Sequence, residues 1–190
     1  MVSQRTIEKE TSLEGIGLHT GKKARLNFKP AGPDEGIKFS RIDLNPHRII
    51  EIGDFEFSSY KRRTTISKDG IEIHTVEHLM AALWANSIDN ILIEIDGIEL
   101  PGLDGSARDF FICLKNAGIK QQNATRKIIK IKEPLWCEKE DSFIGIFPRH
   151  KFKISYILES PLSSIGRQSL SIELDQEIFY KEIAPARTFC

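Results

Sequence analysis

A carboxylate and two imidazoles occur within the five residues from His74 to His78, with Glu77 between the two histidines. Imidazole nitrogens and carboxylate oxygens are common protein ligands of zinc. A glutamate beside a bound metal can take a proton from a water molecule that the metal has made more acidic. These residue types at this spacing therefore indicate a metal-dependent hydrolytic site.

The residues around this motif predict a helix that directs His78 away from the protein core. Apolar residues recur at helical spacing from Val76 to Trp84, and Thr75 is a suitable N-cap. The face around His78 carries alanines, which allow another part of the chain or a substrate to approach closely. We therefore expect this alanine face to be covered by a second layer or by a substrate.

Two other interpretations of the motif are open from the residues alone. His74-Thr75-Val76-Glu77-His78 matches H-x-x-E-H, the signature of inverted zinc peptidases, in which both histidines bind one metal. Alternatively, His74 is a corner residue hydrogen-bonded to the backbone, Glu77 is an ordinary acid at a helix start, and His78 has a structural partner.

Composition limits the class of protein. The 190 residues contain 27 basic and 27 acidic side chains, so no net field attracts nucleic acid, and no nucleic acid partner is expected. The amino terminus lacks the apolar core of a signal peptide, and no apolar run approaches the roughly 20 residues of a membrane span. We expect a cytoplasmic protein without a transmembrane segment, and the three cysteines are expected to be reduced thiols.

The alternation of apolar and polar residues predicts an α+β fold with two domains, residues 1–124 and residues 125–190. A polar stretch from Gln121 to Thr125 is interpreted as the boundary. The strands predicted before the boundary are Gln4–Lys9, Ala24–Phe28, Ile37–Arg41, Arg48–Ile52, Arg63–Ile66, a short run before the helix, and Asn90–Ile95. Those predicted after it are Arg126–Lys132, Leu135–Glu138, Phe143–Phe147, Phe152–Leu158 and Gln168–Leu174, followed by a helix at about Asp175–Ile183.

Two loops carry further candidate residues. The glycine spacing of Gly15–Lys22 does not match a phosphate-binding loop, so this segment is either a corner that presents His19 to a cleft or a simple turn. Asp104 either reaches a site or braces its own turn. Ser106 and Asp109 form a capping-box pattern that predicts the start of a second helix.

Five segments in order along the chain resemble one family, the UDP-3-O-acyl-N-acetylglucosamine deacetylases, which are zinc amidohydrolases of lipid A synthesis. The segments are Gly15–Lys22, Thr75–Leu79, Ile88–Asn90, Asp104–Ala107 and Ala186–Phe189. The resemblance implies two similar domains, each with a β-sheet and helices on one face, and helix layers that face each other around the active site. It also implies that the second domain is incomplete in this chain.

The resemblance assigns roles to individual residues. It implies that His78 binds zinc, that Glu77 is the general base, and that Thr188 stabilises the oxyanion. It does not make His74 a ligand. The implied substrate contacts are Leu18, His19 and Phe189.

The implied activity is zinc-dependent deacetylation of UDP-3-O-(3-hydroxyacyl)-N-acetylglucosamine to the free amine and acetate, the committed step of lipid A biosynthesis. In the family the other zinc ligands come from a His-Lys-x-x-Asp segment beyond the position of Thr188, and this sequence has none. We therefore expect a truncated, amino-terminal portion of the enzyme that binds zinc poorly and is inactive alone. The alternative is a non-catalytic remnant or binding module with the same fold.

Overall fold

The computed structural model describes residues 2–58, 62–162 and 164–188 of the chain. Small β-sheets dominate these residues, and three α-helices and one π-helical turn accompany them. This arrangement confirms the predicted α+β class. No helix in the described part of the chain has the length and apolar character needed to cross a membrane.

The chain divides into two compact units. The first comprises Met1–Arg126 together with Tyr180–Cys190, and the second comprises Lys127–Phe179. The predicted division into domains 1–124 and 125–190 stays a prediction, and so does the expected similarity between the two domains. In the structure, the segment after Phe179 belongs to the first unit.

Three sheets build the first unit. A five-stranded sheet has the order β2-β3-β9-β4-β5, in which β4 and β9 are parallel and the other neighbours are antiparallel. Strands β6, β7 and β8 form a second sheet, and β1 pairs with β10. The strands are β1 (Ser3–Ile7), β2 (Thr11–Ile16), β3 (Lys23–Pro30), β4 (Ile37–Arg41), β5 (Arg48–Glu51), β6 (Glu56–Ser58), β7 (Thr65–Lys68), β8 (Ile71–His74), β9 (Ile91–Ile95) and β10 (Ile119–Thr125).

The period-two alternation of the central strands produces the core. Side chains on a strand point alternately to the two faces, and in β9 the isoleucines at 91, 93 and 95 are all buried while Leu92 and Glu94 are only partly buried. Strand β3 buries Leu26 and Phe28 in the same manner. Burying such side chains contributes roughly 1.5–3 kcal/mol each, so this sheet anchors the loops at its ends.

Two helices pack on each other beside these sheets. Helix α1 (Glu77–Ala85) buries Leu79 and Leu83, and α2 (Arg108–Asn116) buries Phe110, Phe111 and Leu114. The amide of Asn86, just after α1, donates to the carbonyl oxygen of Phe111 at 3.2 Å.

The prediction for the faces of α1 was right in one part and wrong in another. Of the three alanines on the face around His78, Ala82 and Ala85 are buried and Ala81 is partly buried, so this face is largely covered. Trp84 was predicted to lie with the buried apolar residues, but 46% of it is exposed.

The polar stretch that was interpreted as the domain boundary forms strand β10, which pairs antiparallel with β1. One of its polar side chains has a buried partner: Gln122 accepts a hydrogen bond from the amide of Asn90 at 2.7 Å. The same Asn90 amide donates to Gln4 at 2.8 Å, and Asn90 accepts from the backbone of Gly36. At Gln122 the polar side chain therefore belongs to an amide network within the fold.

The second unit consists of two β-hairpins and a short helix. Strands β11 (Leu135–Lys139) and β12 (Ser142–Ile146) form one hairpin, and β13 (Lys153–Glu159) and β14 (Arg167–Glu173) form the other. Helix α3 (Gln176–Ile178) continues into the π-helical turn Phe179–Ile183. The strand predicted at 126–132 is absent from these described residues. Many apolar side chains of the hairpins are exposed, including Trp136 at 65% and Tyr156 at 61%.

Candidate active site at the start of helix α1

The motif that opened the sequence analysis lies where β8 ends and α1 begins. His74 is the last residue of β8, Thr75 adopts a left-handed φ of 60°, and α1 begins at Glu77. Thr75 was expected to cap the helix, and that prediction is wrong. The N-cap is Val76, without a side-chain hydrogen bond, because the Thr75 hydroxyl donates to the carboxylate of Glu99 at 3.0 Å.

Glu77 and His78 occupy the first turn of α1, and both are partly buried. Oε2 of Glu77 accepts a hydrogen bond from the backbone of Thr64 at 3.1 Å, which fixes the carboxylate against the residue that precedes β7. In the part of the chain that the structure describes, neither Oε1 of Glu77 nor the ring of His78 has a protein hydrogen-bond partner. One carboxylate oxygen and one imidazole thus remain available to a ligand.

His74 has a different environment from His78. The residue is 4% exposed, Nδ1 shares a hydrogen bond of 3.0 Å with the Thr65 hydroxyl, and Nε2 lies 3.6 Å from Glu72. Burial, helped by the positive charge of Arg63, lowers the pKa of His74, so the ring is neutral at pH 7. These contacts favour a structural role for His74 over that of second ligand in an H-x-x-E-H site.

The glycine-rich segment forms a tight turn after β2. Gly17 donates to the carbonyl of Lys22 at 2.8 Å, Gly21 donates to the carbonyl of Gly17 at 3.0 Å, and Gly21 has a φ of 64°. The turn exposes His19 and also Leu18, which is 42% exposed. The two side chains that were predicted to contact substrate therefore lie on an outer turn, where a ligand can reach them.

Glu99 is the residue in this region that the sequence analysis missed. It is 2% exposed, and its carboxylate accepts hydrogen bonds from the backbone of His19 at 2.9 Å and of Thr20 at 2.7 Å, besides the bond from Thr75. Burial alone would raise the pKa of Glu99, but the hydrogen bonds from Thr20, His19 and Thr75 outweigh burial and hold the pKa below its usual value. The available signal was one acidic residue between Ile98 and Leu100 in an otherwise apolar stretch.

Thr188 and Asp104 lie together in the first unit. The backbone of Thr188 donates to the carbonyl of Gly105 at 2.9 Å, and Gly105 has a φ of 83°. Asp104 accepts hydrogen bonds from the backbone and the hydroxyl of Ser106, which confirms that it braces its turn. Ser106 was predicted to cap α2. The N-cap position is Ala107, one residue later, but the Ser106 hydroxyl accepts from the backbone of Arg108, the first residue of α2, at 3.2 Å while it donates to Asp104.

Two further points concern the predicted site. Phe189, the third expected substrate contact, lies outside the described residues. Within the described ranges, no group of three or more histidine, cysteine, aspartate or glutamate side chains could hold a metal ion. A catalytic zinc usually has three protein ligands, and the assignment of His78 as one of them stays a prediction.

Comparison with known proteins gives consistent matches over the whole chain. The family model described as LpxC, UDP-3-O-acyl N-acetylglycosamine deacetylase, matches residues 4–190. A protein of Thermodesulfovibrio yellowstonii named UDP-3-O-acyl-N-acetylglucosamine deacetylase is 46% identical over 194 residues, which are 100% of this chain and 64% of that protein. Proteins of the same name from Nitratidesulfovibrio vulgaris and Oleidesulfovibrio alaskensis are 41% and 42% identical, and the matches cover 61% and 62% of their lengths.

The extent of these matches decides the family. The chain spans less than two thirds of the length of the curated relatives, but nearly all of its own residues align with them. The five segments quoted above lie within or at the end of the matched range, from Gly15 to Phe189. The chain therefore belongs to the UDP-3-O-acyl N-acetylglycosamine deacetylase family.

Proposed function

We propose that this chain supplies the general base and one metal ligand for removal of the acetyl group from UDP-3-O-(3-hydroxyacyl)-N-acetylglucosamine in the cytoplasm. The products are the free amine and acetate. The family match over residues 4–190 carries the proposal. The names of the relatives specify a substrate of the same class.

Glu77 is the proposed general base. Its position in the first turn of α1 is fixed through Oε2 by the hydrogen bond from Thr64, and no described residue bonds to Oε1. A carboxylate held by one oxygen keeps the second oxygen oriented and able to accept a proton from water. The adjacent His78 can bind a metal without disturbing this tether.

His78 is the proposed zinc ligand. A zinc ion held by His78 and by ligands outside the described residues would act as a Lewis acid on the acetamide carbonyl. Since the described residues contain no group of three metal-binding side chains, we propose that these 190 residues alone bind zinc weakly and have little activity.

The remaining roles are assigned by the family resemblance and supported by placement. Thr188 is proposed to donate its hydroxyl to the oxyanion, and its backbone is anchored to Gly105. Leu18 and His19 are proposed to contact the substrate from the turn after β2, where both are exposed. Phe189 is proposed as a third contact.

A chimeric enzyme tests the proposed function. The present 190 residues replace the aligned 194 residues of the Thermodesulfovibrio yellowstonii protein, and release of acetate from the UDP-linked substrate is measured. We expect activity in the chimera and a loss of about 10²–10⁴-fold on Glu77→Gln, because a positioned general base contributes about that factor. A folded, zinc-loaded chimera without activity, or an active Glu77→Gln variant, would contradict the proposal.

Metal content separates the role of His78 from that of Glu77. In the chimera we expect zinc to be retained in Glu77→Gln and lost in His78→Ala, as measured by atomic emission. His47→Ala is the matched control, because His47 is exposed and is not among the proposed site residues. Retention of zinc in His78→Ala at the level of the control would refute the assignment of His78 as a ligand.

A further inference from the structure

The buried carboxylate of Glu99 joins two segments that are distant from it in sequence. Oε1 accepts from the backbone of His19 and from the hydroxyl of Thr75, and Oε2 accepts from the backbone of Thr20. The Thr20 side chain also helps to lower the pKa of this carboxyl group. Hydrogen bonds to an ionised acceptor are stronger than neutral ones, and this carboxylate is shielded from water.

The glutamate is itself held in place by the main chain on both sides. His74 donates to the carbonyl of Ile98 at 2.8 Å, and Leu100 donates to the carbonyl of His74 at 3.1 Å. A buried carboxylate that loses its donors is strongly unfavourable, so neither joined segment can move away independently of Glu99. The carboxylate is therefore a fixed point to which both segments are tied.

Each segment carries residues of the proposed site. The turn after β2 donates to Glu99 through the backbone N–H groups of His19 and Thr20, and it exposes Leu18 and His19 to solvent. Thr75 stands two residues before Glu77, and its φ of 60° is a conformation that a β-branched residue rarely adopts. Two bonds hold that conformation: the hydroxyl bond to Glu99, and the backbone bond from Thr75 to the carbonyl of Thr64 at 2.9 Å.

We propose that Glu99 is a positioning residue that couples the turn bearing Leu18 and His19 to the first turn of α1. The significance for catalysis rests on the proposed function above, because the coupled elements carry its substrate contacts and its base. The coupling itself is a property of the chain and can be measured without substrate or metal. Glu99 has no direct part in the chemistry.

Three substitutions in the 190-residue chain test the coupling. Glu99→Gln replaces one acceptor oxygen with an NH₂ group, which cannot accept the bonds that converge there. Thr75→Val removes the hydroxyl that donates to Glu99, and Thr20→Val removes the hydroxyl of the residue whose backbone donates to it, while both keep the shape of the side chain. Glu94→Gln is the matched control, since Glu94 lies on β9 and bonds to Lys29 instead.

Backbone amide exchange and chemical shifts, measured by NMR, provide the readout. In Glu99→Gln we expect exchange at His19 and Thr20 to accelerate at least tenfold. Thr75→Val should accelerate exchange at the same two amides, although Thr75 does not contact them. Thr20→Val should shift the amide resonances of Glu77 and His78, and the Glu94→Gln control should change neither segment.

Coupling is refuted if each threonine substitution changes only its own segment. If Glu99→Gln does not fold, the two threonine variants decide the question alone, because each removes only one hydroxyl group. In the chimera, Glu99→Gln should raise KM and lower kcat together, while a variant of a purely structural residue should lower only the amount of folded enzyme. Failure of the proposed function would appear as an inactive chimera with the exchange coupling intact, so the two failures are distinguishable.

Discussion

Gly17→Ala provides a quantitative test of how tightly the Glu99 carboxylate is held. A Cβ built at Gly17 would lie 2.5 Å from Oε2 of Glu99 and 2.5 Å from the Thr20 hydroxyl oxygen. The carboxylate would have to move by roughly 0.5 Å or more to reach a tolerable contact. That movement stretches the 2.7 Å bond from the Thr20 backbone to about 3.2 Å, the long end of the range for N–H···O hydrogen bonds, and therefore weakens it.

The expected cost follows from the contacts that would be disturbed. A hydrogen bond to a charged group contributes about 1.5–3 kcal/mol, and the added methyl group would stretch the bond from the Thr20 backbone and displace both the Glu99 carboxylate and the Thr20 hydroxyl. The strain falls on a side chain that is 2% exposed and has no solvent to replace its donors. We expect Gly17→Ala to lower the free energy of unfolding by about 2–4 kcal/mol.

Gly32→Ala is the matched control for this substitution. A Cβ at Gly32 would also lie 2.5 Å from a glutamate oxygen, Oε1 of Glu35. The Glu35 side chain is 50% exposed and can rotate into water, so the free energy of unfolding should stay within about 1 kcal/mol of the wild type. Both substitutions create the same 2.5 Å contact with a glutamate oxygen, so a difference in their effect on stability reports how freely each carboxylate can move.

Urea denaturation followed by Trp84 fluorescence measures the difference. Trp84 lies on α1 in the first unit, and a Trp136→Phe background removes the signal of the second unit. Trp136 is 65% exposed, so its replacement should disturb little. A Gly17→Ala variant that loses no more stability than Gly32→Ala would refute the reasoning, because the Glu99 carboxylate would then be mobile.

Two further predictions concern buried polar groups. Burial lowers the pKa of His74, so the contribution of the neutral ring to stability is complete above the unfolded pKa of about 6.5 and is lost as the pH falls toward the folded pKa. His74→Asn, which can still bond Thr65, should therefore flatten the decline of the urea midpoint below pH 6.5. The exposed control, His47→Asn, should leave that decline unchanged. Asn90→Ala should lower the free energy of unfolding by about 2–4 kcal/mol, because three hydrogen bonds of a residue that is 2% exposed are lost. Asn123→Ala, at an exposed position, is the control. Equal urea midpoints for the two variants would contradict the prediction.

The sequence was informative where the structure depends on local pattern. The helix after Thr75 and the central strands were predicted because apolar residues repeat with the period of the element that buries them. The motif residues Glu77 and His78 were found because they lie together in one helical turn. Their placement in the first turn of α1 follows from neighbours that are close in sequence.

What the sequence could not provide depends on contacts between distant residues. Glu99 bonds to His19, which is 80 residues away, and to Thr75, which is 24 residues away, so its apolar neighbours in sequence could mark it as unusual but could not identify its partners. Strand β10 was missed because its polar composition is not typical of a strand, and the amides of Gln4 and Asn90 that donate to it are recognisable only in the folded chain. In both cases a buried polar group has partners that only the fold brings to it.

The segments that resemble the family contain two kinds of polar residue. Asn90 and Asp104 have their polar side-chain atoms engaged by other parts of the chain, which is typical of residues that hold loops and strands in register. Glu77 and His78 differ, because in the described part of the chain Oε1 of the first and the ring of the second have no protein partner. A polar side chain that is fixed but incompletely bonded is suited to bind something that is not protein. Substitutions of the first kind should therefore change the free energy of unfolding, and substitutions of the second kind should change chemistry at nearly constant stability.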